Sequence, residues 1–221
     1  MDEKVAIVGG TGDLGFALAL RWAKAGVSLI IGSREATKAE EAAARIRERI
    51  AGANISGVSN ADAASQAGIV MLTVPFAAQA GTLNGIKKAF TRGILIDATV
   101  PLAAAVGGRA TRILGVWEGS CAQAAQALLP DVRVISGFHN VSAELLHDLD
   151  TALDSDVFLC GDDAEAKKKV ASLVNLIPGL RALDAGGLEM SRICESMTAL
   201  LISLNRRYKT RHAGFRVTGI K

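Results

Sequence analysis

The sequence predicts an α/β chain, a doubly wound parallel sheet with a small C-terminal α/β subdomain. Three observations carry that expectation. Short apolar runs alternate with longer segments of helical period along most of the chain. The first run, Lys4-Val5-Ala6-Ile7-Val8, passes straight into Gly9-Gly10-Thr11-Gly12-Asp13-Leu14-Gly15 and then into a helical pattern. Half of the 221 residues are apolar, aromatics are few and glycines number 23, which suits close packing of helices on a sheet.

The elements follow in order. A small-residue helix is expected over residues 15–25 and a second strand over 27–32. Residues 37–50 form an amphipathic helix with Glu40, Glu41, Arg45, Arg47, Glu48 and Arg49 on its wet side. A short strand at 55–58, a helix at 60–67 and an apolar strand at 69–74 come next. Pro75 ends that strand, and a helix runs over 76–88. Ile94-Leu95-Ile96-Asp97 is a further strand, and residues 98–118 read as a long loop. Ser120 caps a helix reaching Leu129, and Val132-Arg133-Val134-Ile135 is the sixth strand. Near residue 148 the character changes. A strand at 156–160, a Lys-rich helix at 164–176, a strand at 180–184 and a long helix at 188–208 remain. Residues 1–148 are therefore assigned to a nucleotide-binding domain, and 149–221 to a small domain that completes a crevice.

Gly10, Gly12 and Gly15 give Gly-x-Gly-x-x-Gly between a strand and a helix, the context of a Rossmann dinucleotide site. Gly10 is expected to turn the chain, Gly12 to let a pyrophosphate reach the backbone, and Gly15 to let the helix pack on the sheet. Thr11, Asp13 and Leu14 lie in the same turn, where helix N-terminal amides meet an anion. After the second strand, an NAD site offers a carboxylate to the ribose 2′-hydroxyl. Here Ser33-Arg34 stand there with Lys38 beyond, a set that attracts a 2′-phosphate, so the cofactor read is NADP(H). Glu35 falls one position late and is expected to point away. Ser33 also suits a helix cap, a role compatible with phosphate binding.

Ligands of such sheets lie beyond the carboxyl ends of the strands. Val74-Pro75, Asp97-Ala98-Thr99 and Phe138-His139-Asn140-Val141 should converge there. His139 is the candidate acid–base or hydrogen-bonding residue; a satisfied structural histidine is the competing reading. Asp97 is read as bracing its loop, and Asp162-Asp163 as helix capping. Arg206, Arg207, Lys209 and Arg211 are either a solvated run or a contact for an anionic substrate.

The formal net charge of +3 argues against nucleic acid as a partner, and no run approaches the roughly 18 apolar residues of a membrane span. The chain enters its first strand within four residues, so no secretory leader is expected. Cys121, Cys160 and Cys194 are widely spaced and read as reduced thiols, which points to the cytoplasm. Neither they nor His139, His147 and His212 carry metal-ligand spacing. A helix stripe of Met197, Leu200, Leu201 and Leu204 suits either a homodimer face or an internal core.

Several segments together resemble one family, the F420H2:NADP oxidoreductases: Val8 to Gly15, Ile31-Gly32-Ser33-Arg34 with Lys38, Leu72-Thr73-Val74-Pro75, Cys160-Gly161-Asp162-Asp163, and Leu183 to Leu188. The resemblance implies hydride exchange between NADP(H) and the 5-deazaflavin coenzyme F420, with no metal or covalent intermediate. It implies that Thr11 to Leu14, Ser33, Arg34 and Lys38 hold the NADP phosphates and ribose. Val74 and His139 would lie near the nicotinamide, with His139, Asn140, Val141 and Gly214 lining the deazaflavin pocket. The first half of the chain also fits an NADP-dependent reductase of an imine, ketone or ferric chelate, or a non-enzymatic NADP(H) sensor.

Overall fold

The computed structural model describes residues 3–220. Its strands are β1 (Val5–Val8), β2 (Leu29–Ser33), β3 (Ile55–Ser59), β4 (Ile69–Leu72), β5 (Ile94–Asp97), β6 (Arg133–Ser136), β7 (Ser155–Cys160) and β8 (Leu180–Gly186). They form one sheet in the order β3-β2-β1-β4-β5-β6-β7-β8. The pairings from β3 through β6 are parallel. The strand order reverses between β1 and β4, and this opens a crevice above their carboxyl ends.

Alternate residues of each strand face opposite cores. Val5, Ile7, Ile31, Met71 and Ile96 meet one face, covered by α1 (Asp13–Lys24), α2 (Ala36–Arg49) and α7 (Ala164–Asn175). Ala6, Val8, Ile30, Leu72 and Leu95 meet the other, under α3 (Asn60–Ser65), α4 (Phe76–Ile86) and α5 (Cys121–Leu128). Burial on both faces is why these strands read as continuous apolar runs rather than as an alternation.

Ser120 caps α5 as expected, its hydroxyl accepting from the Gln123 amide. Residues 98–118 contain a short 3-10 turn at Ala103–Val106 and one bridge, Leu102 to Ile113. An unforeseen helix, α6 (Ala143–His147), packs on α1 and is capped by Ser142. Arg21 of α1 fastens it by donating to the carbonyls of Leu145, Leu146, Asp148 and Thr151. No cation would be buried there without such acceptors.

The expected boundary at residue 148 falls where the sheet changes direction. β7 is antiparallel to β6, through the pair Ser136 and Cys160, and β8 runs parallel to β7. Both strands nonetheless belong to the same sheet. The pair joins the last residue of β6 to the last of β7, so the rest of β7 extends past the carboxyl end of β6 and walls the crevice. The long helix α8 (Ser191–Tyr208) packs on α5. Glu195 reaches from α8 to accept from the Cys121 and Ala122 amides, capping α5 from 74 residues away. Among the described residues no helix is long and apolar enough to cross a membrane.

Candidate active site

The turn after β1 is built by glycines, though not with the expected division of labour. The left-handed residue is Gly9, with φ of 80°, rather than Gly10. A Cβ on Gly10 would sit 2.7 Å from the Ile7 carbonyl, so Gly10 serves close backbone approach. Gly15 lies against Thr73 and Gly10, and a Cβ there would meet Thr73 Oγ1 at 2.5 Å. Only Gly12 is open, its nearest neighbour being the Gly9 carbonyl. It is also the N-cap of α1 and offers no side-chain cap, so the first amides of that helix are left for an external acceptor.

A cavity of about 360 Å³ opens beside this turn, lined by Thr11, Gly12, Ser33, Arg34, Lys38, Val74 and Pro75. Seven of the residues read as cofactor-binding thus share one wall. Gly10, Asp13, Leu14 and Gly15 shape the turn behind it. Gly9, Glu35, Asn60, Thr73, Ala78 and Thr82 complete the lining. Asn60 accepts from the Gly9 amide at 3.4 Å, and Thr73 Oγ1 donates to the Val8 carbonyl at 3.2 Å.

Glu35 corrects the sequence reading. It lines the cavity, and its carboxylate takes Lys38 Nζ at 2.6 Å. Both side chains are solvated, so the pair is weak. Ser33 is buried and its hydroxyl accepts from the Glu35 amide; the α2 N-cap is Glu35, not Ser33. Among the described residues Arg34 makes no ion pair. The cavity therefore presents one free guanidinium, one paired ammonium and uncapped helix amides, which suits the phosphates of an NADP molecule.

His139 lies at the end of β6 and is 8% exposed. Its Nε2 is 3.4 Å from Ser136 Oγ, and the ring also faces the Asp97 carbonyl. Burial pushes its pKa down to about 4, so the imidazole is neutral at physiological pH. Its own carbonyl accepts from Thr198 Oγ1 of α8 at 2.9 Å. Asp97 is fully buried and braces its loop, accepting from the Thr99 amide and from Gln79 Nε2. Burial raises its pKa to about 6, and burial raises that of Glu195 to about 7.

Asn140, Val141 and Gly214 come together although 73 residues separate the last two. They line a second cavity, of about 230 Å³, with Ser142, Ser155 and His212. Asp156 organises this wall. Fully buried, it takes a two-pronged contact from Arg181, at 2.8 Å through each oxygen, one from Arg216 Nη1 at 2.8 Å, and the Val217 amide at 2.7 Å. Those donors, Arg181 foremost, hold its carboxyl well below the usual range. The Asp156 amide donates to the Phe215 carbonyl and its carbonyl accepts from Asn140 Nδ2, so residues 213–217 are strapped along β7. No local sequence signal marks this node, because its members lie up to 61 residues apart.

Asp163 caps α7 as expected, whereas Asp162 does not cap that helix and instead accepts from the Leu188 amide, 26 residues on. Among the described residues no three His, Cys, Asp or Glu are grouped to hold a metal. All three cysteines are buried, and Cys160 and Cys194 approach to 3.5 Å between sulfurs, a proximity their spacing in sequence concealed.

The family model described as NADP oxidoreductase, coenzyme F420-dependent, matches residues 4–101. The F420-dependent NADP reductase of Methanocaldococcus jannaschii is 45% identical over 222 residues, covering 99% of this chain and 99% of that protein. The enzyme of the same name from Methanothermobacter thermautotrophicus is 45% identical over 225 residues, covering 100% of this chain and 97% of that protein. The chain belongs to the F420-dependent NADP reductase family. The fold agrees: a solved chain from Arthrobacter sp. FB24, given provisionally as an F420-dependent NADP-reductase, superposes with a TM-score of 0.83 at 24% identity, over 98% of this chain and 99% of that one. The fold is thus alike over nearly the full length of the two chains.

Proposed function

We propose that this chain is an NADP(H):coenzyme F420 oxidoreductase, with the two substrates seated in the two cavities at the carboxyl edge of the sheet. The observation that carries the reading is full-length likeness to the F420-dependent NADP reductases, joined to a cavity whose wall is Thr11, Gly12, Ser33 and Arg34. When bound side by side, a nicotinamide and a deazaflavin exchange hydride directly. The protein's part is binding and orientation. Uncapped α1 amides and Thr11 receive the pyrophosphate, Ser33 and Arg34 the 2′-phosphate, and Val74 and Pro75 an apolar ring face. Asn140, Val141 and Gly214 line the acceptor side. Holding reactants in register is worth about 7–11 kcal/mol in favourable cases, so a site without nucleophile or metal is sufficient. The test is mixture with NADPH and oxidised F420. Loss of the deazaflavin's visible absorbance supports the reading, and intact F420 despite bound NADPH overturns it.

In this reading His139 contributes as a neutral ring that fixes the β6 end, through Ser136 and Asp97 on one side and Thr198 on the other. His139→Gln is expected to lower kcat about tenfold, and the wild-type pH profile to lack a step near 6.5 that the variant removes. Such a step would show a freely titrating imidazole and return His139 to proton transfer.

A cytoplasmic homodimer goes with the same proposal. α8 leaves Ile193 and Leu200 about half exposed on its outer face while Leu201 is buried. Light scattering should give twice the 22.9 kDa chain mass, and charged substitution of Leu200 should halve it. A monomeric wild type would sink this part.

A further inference from the structure

The acceptor cavity has a basic extension. The last turn of α8 carries Arg206 and Arg207, and Lys209 follows in the left-handed conformation, φ 53°, which swings the chain back toward β7. A shallow cavity of about 440 Å³ lies in that turn, lined by Ile202, Asn205, Arg206, Lys209, Thr210 and Arg211. The next three residues, His212, Ala213 and Gly214, line the acceptor cavity. Asn205 stitches the two together: its carbonyl accepts from the Thr210 amide and its Oδ1 from the Ala213 amide. Ser142 of the acceptor wall donates to the Arg211 carbonyl.

The charge of this extension is almost uncompensated. Among the described residues Arg206, Arg207 and Lys209 make no ion pair, and Arg211 makes one loose contact, 3.5 Å to Glu144 with both side chains exposed. Four cations within six residues face one carboxylate, in a chain whose whole net charge is only +3. A run kept merely for solubility would be indifferent to position. This one abuts the mouth of the cavity assigned to the acceptor, where it raises the local concentration of an anion.

We infer that the Arg206–Arg211 turn is a subsite for the anionic side chain of the acceptor, taking a phosphodiester or carboxylates carried outward from the ring. The inference rests on the F420 reading, since that coenzyme bears a phosphate-linked oligoglutamate chain on its deazaflavin. Guanidinium groups suit both anions through paired N–H donors.

The test is equilibrium binding to the full chain, followed by fluorescence quenching at low salt. Two probes are used, oxidised F420 with its oligoglutamate chain and the same deazaflavin chromophore lacking phosphate and glutamates. The triple variant R206Q/K209Q/R211Q should bind F420 about tenfold more weakly than wild type and the tail-free chromophore equally well. The difference should shrink at 0.5 M salt, as expected for screened contacts. NADPH affinity should not move, and R206K/R211K should restore most of the loss. Equal weakening of both probes would show a distorted cavity and overturn the subsite, and so would an unchanged F420 affinity. Failure of the wild type to bind either probe would overturn the F420 reading, and the subsite with it.

Discussion

Arg34→Ala is expected to raise the KM for NADPH by roughly 10- to 150-fold while leaving NADH within a factor of about two. A charge-assisted guanidinium contact is worth about 1.5–3 kcal/mol, and 1.4 kcal/mol is about tenfold. The geometry sharpens the expectation. Of the two cations lining the cavity, Lys38 already sits on Glu35 at 2.6 Å, so a 2′-phosphate must compete for it. Arg34 is free to meet the phosphate from the outset. Steady-state kinetics with both nucleotides decide the matter: equal loss for NADPH and NADH would mean that Arg34 reads the shared pyrophosphate or merely supports the loop.

Asp156→Ala is expected to destabilise the fold by about 2–4 kcal/mol and to lower Tm by about 5–15 °C. Removing one partner of a buried ion pair costs about 3–5 kcal/mol; Arg181 and Arg216 remain 33% and 41% exposed and can rehydrate, which trims that figure. The pH dependence has a definite sign. The carboxyl is held below its unfolded value, so the stability it contributes is present above about pH 4 and fades as pH falls further. The gap between variant and wild type should therefore be full at pH 7 and narrow in acid. NADPH binding should survive, because the nucleotide cavity shares no residue with this node, whereas the acceptor wall loosens. Thermal melts across pH check it, and a Tm within about 1 °C of wild type at pH 7 would dismiss the node as a stabiliser.

Much of this molecule was legible because its signals are local. Apolar runs such as Ile69 to Leu72 can hardly be anything but buried strands, and the glycines before α1 stand in a fixed relation to the strand they follow. Asp163 and Ser120 cap the next turn, within reach of three residues. What local pattern could not reveal depends on groups distant in sequence. Glu35 was misplaced because which way the residue at a helix N-cap points is set by its partner, here Lys38, not by its offset along the chain. α6 is five residues long and is held by Arg21, more than 120 residues earlier. The reversal of β7 leaves no trace in a period-two pattern, which is the same in either direction. Only the family resemblance, not any local pattern, put Asn140, Val141 and Gly214 in one pocket, and the carboxylate that draws them together, Asp156, looked like any strand residue.

The two halves of the sheet meet along a narrow seam, the antiparallel pair Ser136 and Cys160 at the ends of β6 and β7. A single pair couples the two sides less stiffly than a full ladder of hydrogen bonds. Changes in the wall beyond the seam are therefore expected to disturb the glycine turn and its cavity little. On the proposed reading, an engineer seeking a different acceptor would start from residues 140 to 156 and 206 to 217 and leave the first hundred untouched.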